Sequence, residues 1–223
     1  RITALAGLLA LACLLVGALA VDMDFDAFSD PVLTLAHAHN HQLAYWFNIL
    51  DLFGYYLLLL PVALHMHQRL RYRSPWMPLI TLGGVGYAVI GASGAAVLAA
   101  VWPELMRDHL AAAPEEQATI VLVFKVATLA VTKGLWNILE MAFAATWWIG
   151  LGLLLRPSMP GIARLSIALG GACVLDMLGN LTGIAPLAEI GLNLYLLLSI
   201  IWSIAMGIRL MREANTPRPV HTH

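Results

Sequence analysis

The stretch "ATIVLVFKVATLAVTKGLWNILEMAFAATWWIGLGLLL", residues 118–155, decides how the chain is arranged. It is far longer than the about 20 apolar residues that cross a bilayer. Two crossings would need a turn in the middle, and "VTKGLWNILE" offers only Gly134, with no Pro and no polar cluster. Two crossings would also put Arg156 and Arg164 on the side opposite the other loop arginines. One long helix is therefore predicted, projecting about 20 Å beyond the outer surface at about 1.5 Å per residue. Its first part, residues 118–133, is expected to pack on something outside the bilayer or to lie in the interface.

Around this helix the composition sets the class. Of 223 residues, 61% are hydrophobic and 11% charged, against about 25% charged in a soluble domain. The chain reads as an all-α polytopic integral membrane protein, because helices satisfy their own backbone hydrogen bonds in lipid. Six spans are predicted, at about 2–21, 43–65, 77–102, 118–155, 162–181 and 190–210. Residues 1–213 form one transmembrane domain and 214–223, ending in "PVHTH", a cytoplasmic tail. The first apolar run has small residues in "GALAV", as a signal peptide would, but is read as a retained helix. Cys13 and Cys173 fall inside apolar runs and read as small hydrophobes, not as a disulfide. No basic run of the kind nucleic acid needs is present.

Loop charges set the orientation. One side carries Arg1, Arg69, Arg71, Arg73, Arg156, Arg164, Arg209, Arg212 and Arg218, nine of the 12 basic residues. The other carries Asp22, Asp24, Asp26, Asp30, Glu104, Asp108, Glu115, Glu116 and Glu189, with Arg107. Both termini are predicted on the cytoplasmic side of a bacterial inner membrane.

Ionisable residues at depth are costly and usually have a reason to be there. Asn48, Asp51 and Tyr55 share a face of the second span. On the fourth, Lys133 and Glu140 are seven residues apart, nearly one α-helical face, with Trp136 and Asn137 beside them. The fifth carries Cys173, Asp176 and Asn180 as a stripe, and the sixth carries Asn193. These groups form one layer in the outer half of the membrane. The layer reads either as a structural network or as a polar pocket open to the outside, and Lys133 is expected close to Glu140, Asp51 or Asp176.

The outer loop "AHAHNHQ" holds His37, His39 and His41. With His109 of the next outer loop they are the candidate metal ligands, and zinc is the ion they would suit. HxHxH is not a defined zinc signature, so no cofactor is predicted. His65 and His67 read as a headgroup-facing helix end. Gly84, Ala88, Ala92 and Ala96 recur at every fourth position of the third span. Small residues so spaced allow close helix approach, either within the bundle or with another subunit.

The segment "ATWWIGLGLLLRPSMPGIARLSIALGGACVLDML", residues 145–178, resembles a family of six-helix bacterial membrane proteins catalogued only as a domain of unknown function. The resemblance rests on a basic loop between an apolar and a Gly-rich helix: Arg156, Pro157, Pro160, Arg164, Gly170 and Gly171. It implies the six-helix fold and no activity. Three functions fit the residues: a non-enzymatic small-ligand-binding or accessory membrane component, a metal-dependent intramembrane hydrolase using the loop histidines with Asp51 or Glu140, and a small transporter. No internal repeat supports the third.

The orientation is directly testable. A cysteine at position 39 should react with a membrane-impermeant reagent added outside, and one at position 70 should not. The reverse pattern would invert the topology.

Overall fold

The computed structural model describes residues 1–28 and 30–215. Most of the C-terminal tail, residues 216–223, lies outside the described residues, as does Arg218. Six helices are long and apolar enough to cross a membrane: Ile2–Ala20, Ala38–Leu70, Met77–Ala111, Pro114–Leu155, Pro160–Thr182 and Ala185–Asn215. No strand occurs among the described residues. The protein is an all-α, multi-pass membrane protein.

Local chemistry explains several boundaries. Pro78, Pro114 and Pro160 sit in the first turns of the third, fourth and fifth spans, where the missing N–H costs nothing and the fixed φ suits a helix. The fifth ends at Gly183, φ 73°, a left-handed cap that glycine adopts without strain. Residues 118–155 belong to one helix, as predicted, and it starts earlier, at Pro114. The third span is longer than its apolar run implied, reaching Ala111.

The extended ends of the third and fourth spans are partners. Trp102 stacks on Phe124 at 5.6 Å, and its Nε1 donates to Thr128 Oγ1 at 2.8 Å. Leu35, from the short helix Pro31–Ala36, joins them with Leu98, Met106 and Val131 in a second apolar cluster. The early part of the long helix thus packs on the chain itself.

Each span packs against its neighbour in sequence, and the first closes onto the sixth. Inside this ring the side chains are mainly aromatic. Tyr55, Tyr56, Tyr87 and Tyr195 fill its middle, and Trp147, Trp148 and Trp202 follow toward the arginine face. Trp147 and Trp148 stack at 4.1 Å, and Trp202 meets Trp148 edge-on at 4.3 Å. The outer faces of the spans display leucine, isoleucine and valine, as contact with lipid requires.

Small residues create the room for this aromatic interior. A Cβ at Gly84 would meet the Trp147 ring, one at Gly91 the Tyr56 ring, and one at Gly94 the Trp136 indole. Gly84, Ala88 and Ala92 are buried in the chain's own bundle, and Ala96 is exposed. Three of the four residues of the small-residue stripe thus pack within the chain's own bundle.

Two spans depart from α-helical hydrogen bonding. The second contains a π-helical turn, Leu52–Tyr56, followed by a 3-10 turn, Leu57–Leu59. The fourth is π-helical over Ala130–Glu140.

Substituting Gly91 by Ala should destabilise the protein in detergent by about 1–3 kcal/mol, because the added methyl overlaps the buried Tyr56 ring. Gly134→Ala and Gly171→Ala, where an added methyl meets nothing within 4 Å, should leave the melting temperature unchanged or raise it. Equal effects at the three positions would refute this packing.

Candidate functional site

The polar layer converges on Glu140, the last residue of the π-helical segment in the fourth span. Its carboxyl group has no solvent exposure. Tyr56 donates its hydroxyl to Oε2 at 3.1 Å and Tyr195 to Oε1 at 3.4 Å. Tyr87 lies 2.9 Å from the Tyr195 hydroxyl and donates to the Tyr55 carbonyl oxygen at 2.7 Å. Four spans thus contribute to one hydrogen-bonded cluster.

Two further carboxyl groups flank it. Asp51 stands one turn before Tyr55 and Tyr56, and Asp176 is fully buried on the fifth span. Both are near enough to act on Glu140 electrostatically. Asn180 donates to Asp176 Oδ1 at 2.8 Å, whereas Asp176 Oδ2 and Asp51 Oδ2 are buried without a hydrogen-bond partner. Asn48 gives its amide N–H to Ala44 O at 2.8 Å and leaves its own Oδ1 unpartnered. A Cβ at Gly191 would collide with the Asp176 backbone, so only glycine lets the sixth span close here.

The structure does not place Lys133 with these acids. Its side chain is exposed, and no ion pair involving it forms among the described residues. The reason is the π-helix. A ladder from i to i+5 takes more residues per turn than the about 3.6 of an α-helix, so across seven residues the rotation falls short by roughly a third of a turn. Lys133 and Glu140 therefore leave the helix on different faces. Trp136 turns to the third span, giving Nε1–H to Gly91 O at 3.1 Å. Asn137 is half-buried. Asn193 is exposed and hydrogen-bonds its own helix at Glu189 O, 2.9 Å away.

Of the sequence-predicted residues, then, Asn48, Asp51, Tyr55, Glu140, Asp176 and Asn180 share the layer, and Lys133 and Asn193 do not. Nor is the layer a pocket open to water: Asn48, Glu140 and Asp176 have no exposure. Sequence reasoning missed Tyr56, Tyr87 and Tyr195. The available signal was tyrosine deep within apolar runs, since in membrane proteins it favours the interfaces and needs a partner when buried.

The loop histidines also separate. His37 Nδ1 lies 2.9 Å and His39 Nε2 3.0 Å from Asp22 Oδ2, and His37 Nε2 is 3.6 Å from Asp24. Asn40 donates to Asp22 Oδ1 at 2.9 Å. Hydrogen bonds from His37 and Asn40 hold the Asp22 carboxyl below its ordinary range. Asp22 and Met23 adopt left-handed φ values of 50° and 65°, so this contact stabilises a strained turn joining the first span to the second. His41 and His109 do not join it; the Nδ1 atom of each is buried without a partner. Among the described residues no group of three or more His, Cys, Asp or Glu side chains is arranged to hold a metal ion. The four histidines fail to converge because the aspartates draw His37 and His39 toward the first span.

No protein family, no curated protein and no solved structure matches this chain.

Tyr56→Phe strands a buried carboxyl oxygen and should cost about 1–3 kcal/mol in detergent. Combined with Glu140→Gln the loss should be less than the sum, as expected for partners in one network. Tyr72→Phe, at a residue 87% exposed, serves as the neutral control. Additive losses from Tyr56→Phe and Glu140→Gln would dissolve the cluster.

Proposed function

We propose that the chain is a non-enzymatic component of the bacterial cytoplasmic membrane that binds a small cation in the Glu140 layer, entering from the acidic face. One observation carries this reading. Asp51, Glu140 and Asp176 are buried together, while no lysine, arginine or histidine is buried among the described residues. An ionised side chain left alone at that depth costs at least about 2.5 kcal/mol, and two like charges nearby increase the cost. The acids must be neutralised by protons or by a cation, and the unpartnered oxygens of Asp51, Asp176 and Asn48 are ready acceptors. The tyrosine ring faces add an environment that favours a cation such as a primary amine.

The acidic loops support entry from that side, since their charge raises the local concentration of cations. The interrupted helices support a second reading, a small cation transporter. Discontinuous spans beside a buried site are the usual construction of such proteins. Here the second span changes its hydrogen bonding next to Asp51, and the fourth does so up to Glu140. The hydrolase reading has no comparable support, because the loop histidines do not converge.

The test is thermal unfolding of purified protein against methylammonium chloride, with sodium, potassium and calcium chlorides as comparison salts at constant ionic strength. Methylammonium should raise the melting temperature of the wild type, with a gain in unfolding free energy of about 2.7 kcal/mol at a hundredfold excess over Kd. Glu140→Gln and Asp51→Asn should abolish that shift. If no cation stabilises the wild type, or if Glu140→Gln responds equally, the binding assignment fails. Uptake of the stabilising cation into liposomes would select the transporter reading.

A further inference from the structure

The arginine face carries a feature that the Glu140 layer does not use. Between the start of the fifth span and the end of the sixth lies an open groove of about 460 Å³. One part of its lining is apolar, formed by Ile162, Leu165, Ala205 and Ile208, and another is polar, with Ser158, Arg209 and Arg212. The two halves match the two halves of a lipid: hydrocarbon along the spans, charge at the headgroup level.

The polar part is electropositive in several independent ways. Arg209 and Arg212 are one turn apart on the sixth span, and both are exposed. Arg209 gives Nε–H to Glu213 Oε1 at 3.0 Å, and its guanidinium carries further N–H groups for another acceptor. Glu213 is also engaged by Arg69, at 2.5 Å, so this single carboxylate is shared between two arginines and leaves net positive charge. Arg156 and Arg164 flank the same loop and are exposed.

The groove also presents donors without acceptors. The fifth span begins at Pro160 with Met159 as its N-cap and no side-chain cap, so the Gly161 and Ile162 N–H groups at the positive end of the helix dipole lack an intrahelical partner. A Cβ at Gly161 would meet nothing within 4 Å, and the residue is exposed, so no side chain crowds this start of the helix. The Ser158 hydroxyl, also lining the groove, is buried and without a hydrogen-bond partner.

We propose that this groove binds one anionic phospholipid, its phosphate at Arg209, Arg212, Ser158 and the Gly161 N–H, and one acyl chain along Ile162, Leu165, Ala205 and Ile208. Basic pockets between spans on the cytoplasmic side hold such headgroups because guanidinium meets phosphate at the depth where the phosphate already lies. The lipid is a structural ligand that ties the fifth span to the sixth, and its binding is independent of any cation at Glu140.

Native mass spectrometry of the detergent-purified full chain tests this. Phosphatidylglycerol and phosphatidylcholine with identical acyl chains would be offered in competition, and inorganic phosphate offered separately. The wild type should retain one phosphatidylglycerol per chain with about tenfold or greater preference. Arg209→Gln with Arg212→Gln should remove the preference, and Leu165→Trp, which fills the apolar half, should reduce retention of both lipids. Arg71→Gln with Arg73→Gln, on the neighbouring loop, should retain the wild-type preference. Equal retention of the two lipids by the wild type, or an undiminished preference in Arg209→Gln/Arg212→Gln, would overturn the proposal. So would displacement of phosphatidylglycerol by millimolar inorganic phosphate, which would make the groove a free-anion site.

Discussion

Glu140 has no exposure and two tyrosine hydroxyls on its two oxygens, and no basic side chain is buried among the described residues. A carboxyl group in the middle of a lipid-embedded bundle is tolerated only if its surroundings replace water. Much of the interior follows from that requirement. The donors come from the second and sixth spans, and the Tyr87 hydroxyl of the third stands 2.9 Å from that of Tyr195. The glycines and alanines of the third span then provide the space that so many rings demand. The π-helical segments fit the same constraint, since π-helical turns occur where a side chain must be re-aimed at a functional position. One ends at Glu140, and the other contains Tyr55 and Tyr56.

Seen along the membrane normal, the chain is layered. At the acidic face a strained turn at Asp22 is tied to His37, His39 and Asn40. Beneath it, Trp102, Phe124 and Leu35 join the extended ends of the third and fourth spans to the short helix. The carboxyl and tyrosine layer follows, then the tryptophans, with Trp202 donating to Ser166 at 2.8 Å. The arginine face closes the series, where Arg69 and Arg209 share Glu213. Polarity is thus concentrated on one side of the bundle's middle, and the other side is sealed by stacked indoles.

The six spans, their apolar outer faces and the uneven distribution of arginine were legible in residue order, because lipid imposes a length and a hydropathy on every crossing and each loop carries its own charge. The unity of residues 118–155 was also legible, from the lack of turn chemistry around Gly134. Asp51, Glu140 and Asp176 stood out because ionisable residues are rare in such runs.

Which of those residues meet was decided only in three dimensions. Lys133 and Glu140 share a face if the helix is α throughout, and nothing local in "VTKGLWNILE" announces the change of hydrogen-bond ladder that separates them. The partners of Glu140 come from Tyr56 and Tyr195, far away in sequence, and tyrosine in an apolar run does not state where its hydroxyl will go. The histidines behave likewise: their spacing permits a metal site, but the turn at Asp22 brings a carboxylate to His37 and His39 and leaves His41 and His109 apart. Hydropathy is a property of each segment alone, so sequence determined it. Hydrogen-bond pairing inside the ring depends on rotation and contact between segments, so only the tertiary structure could settle it.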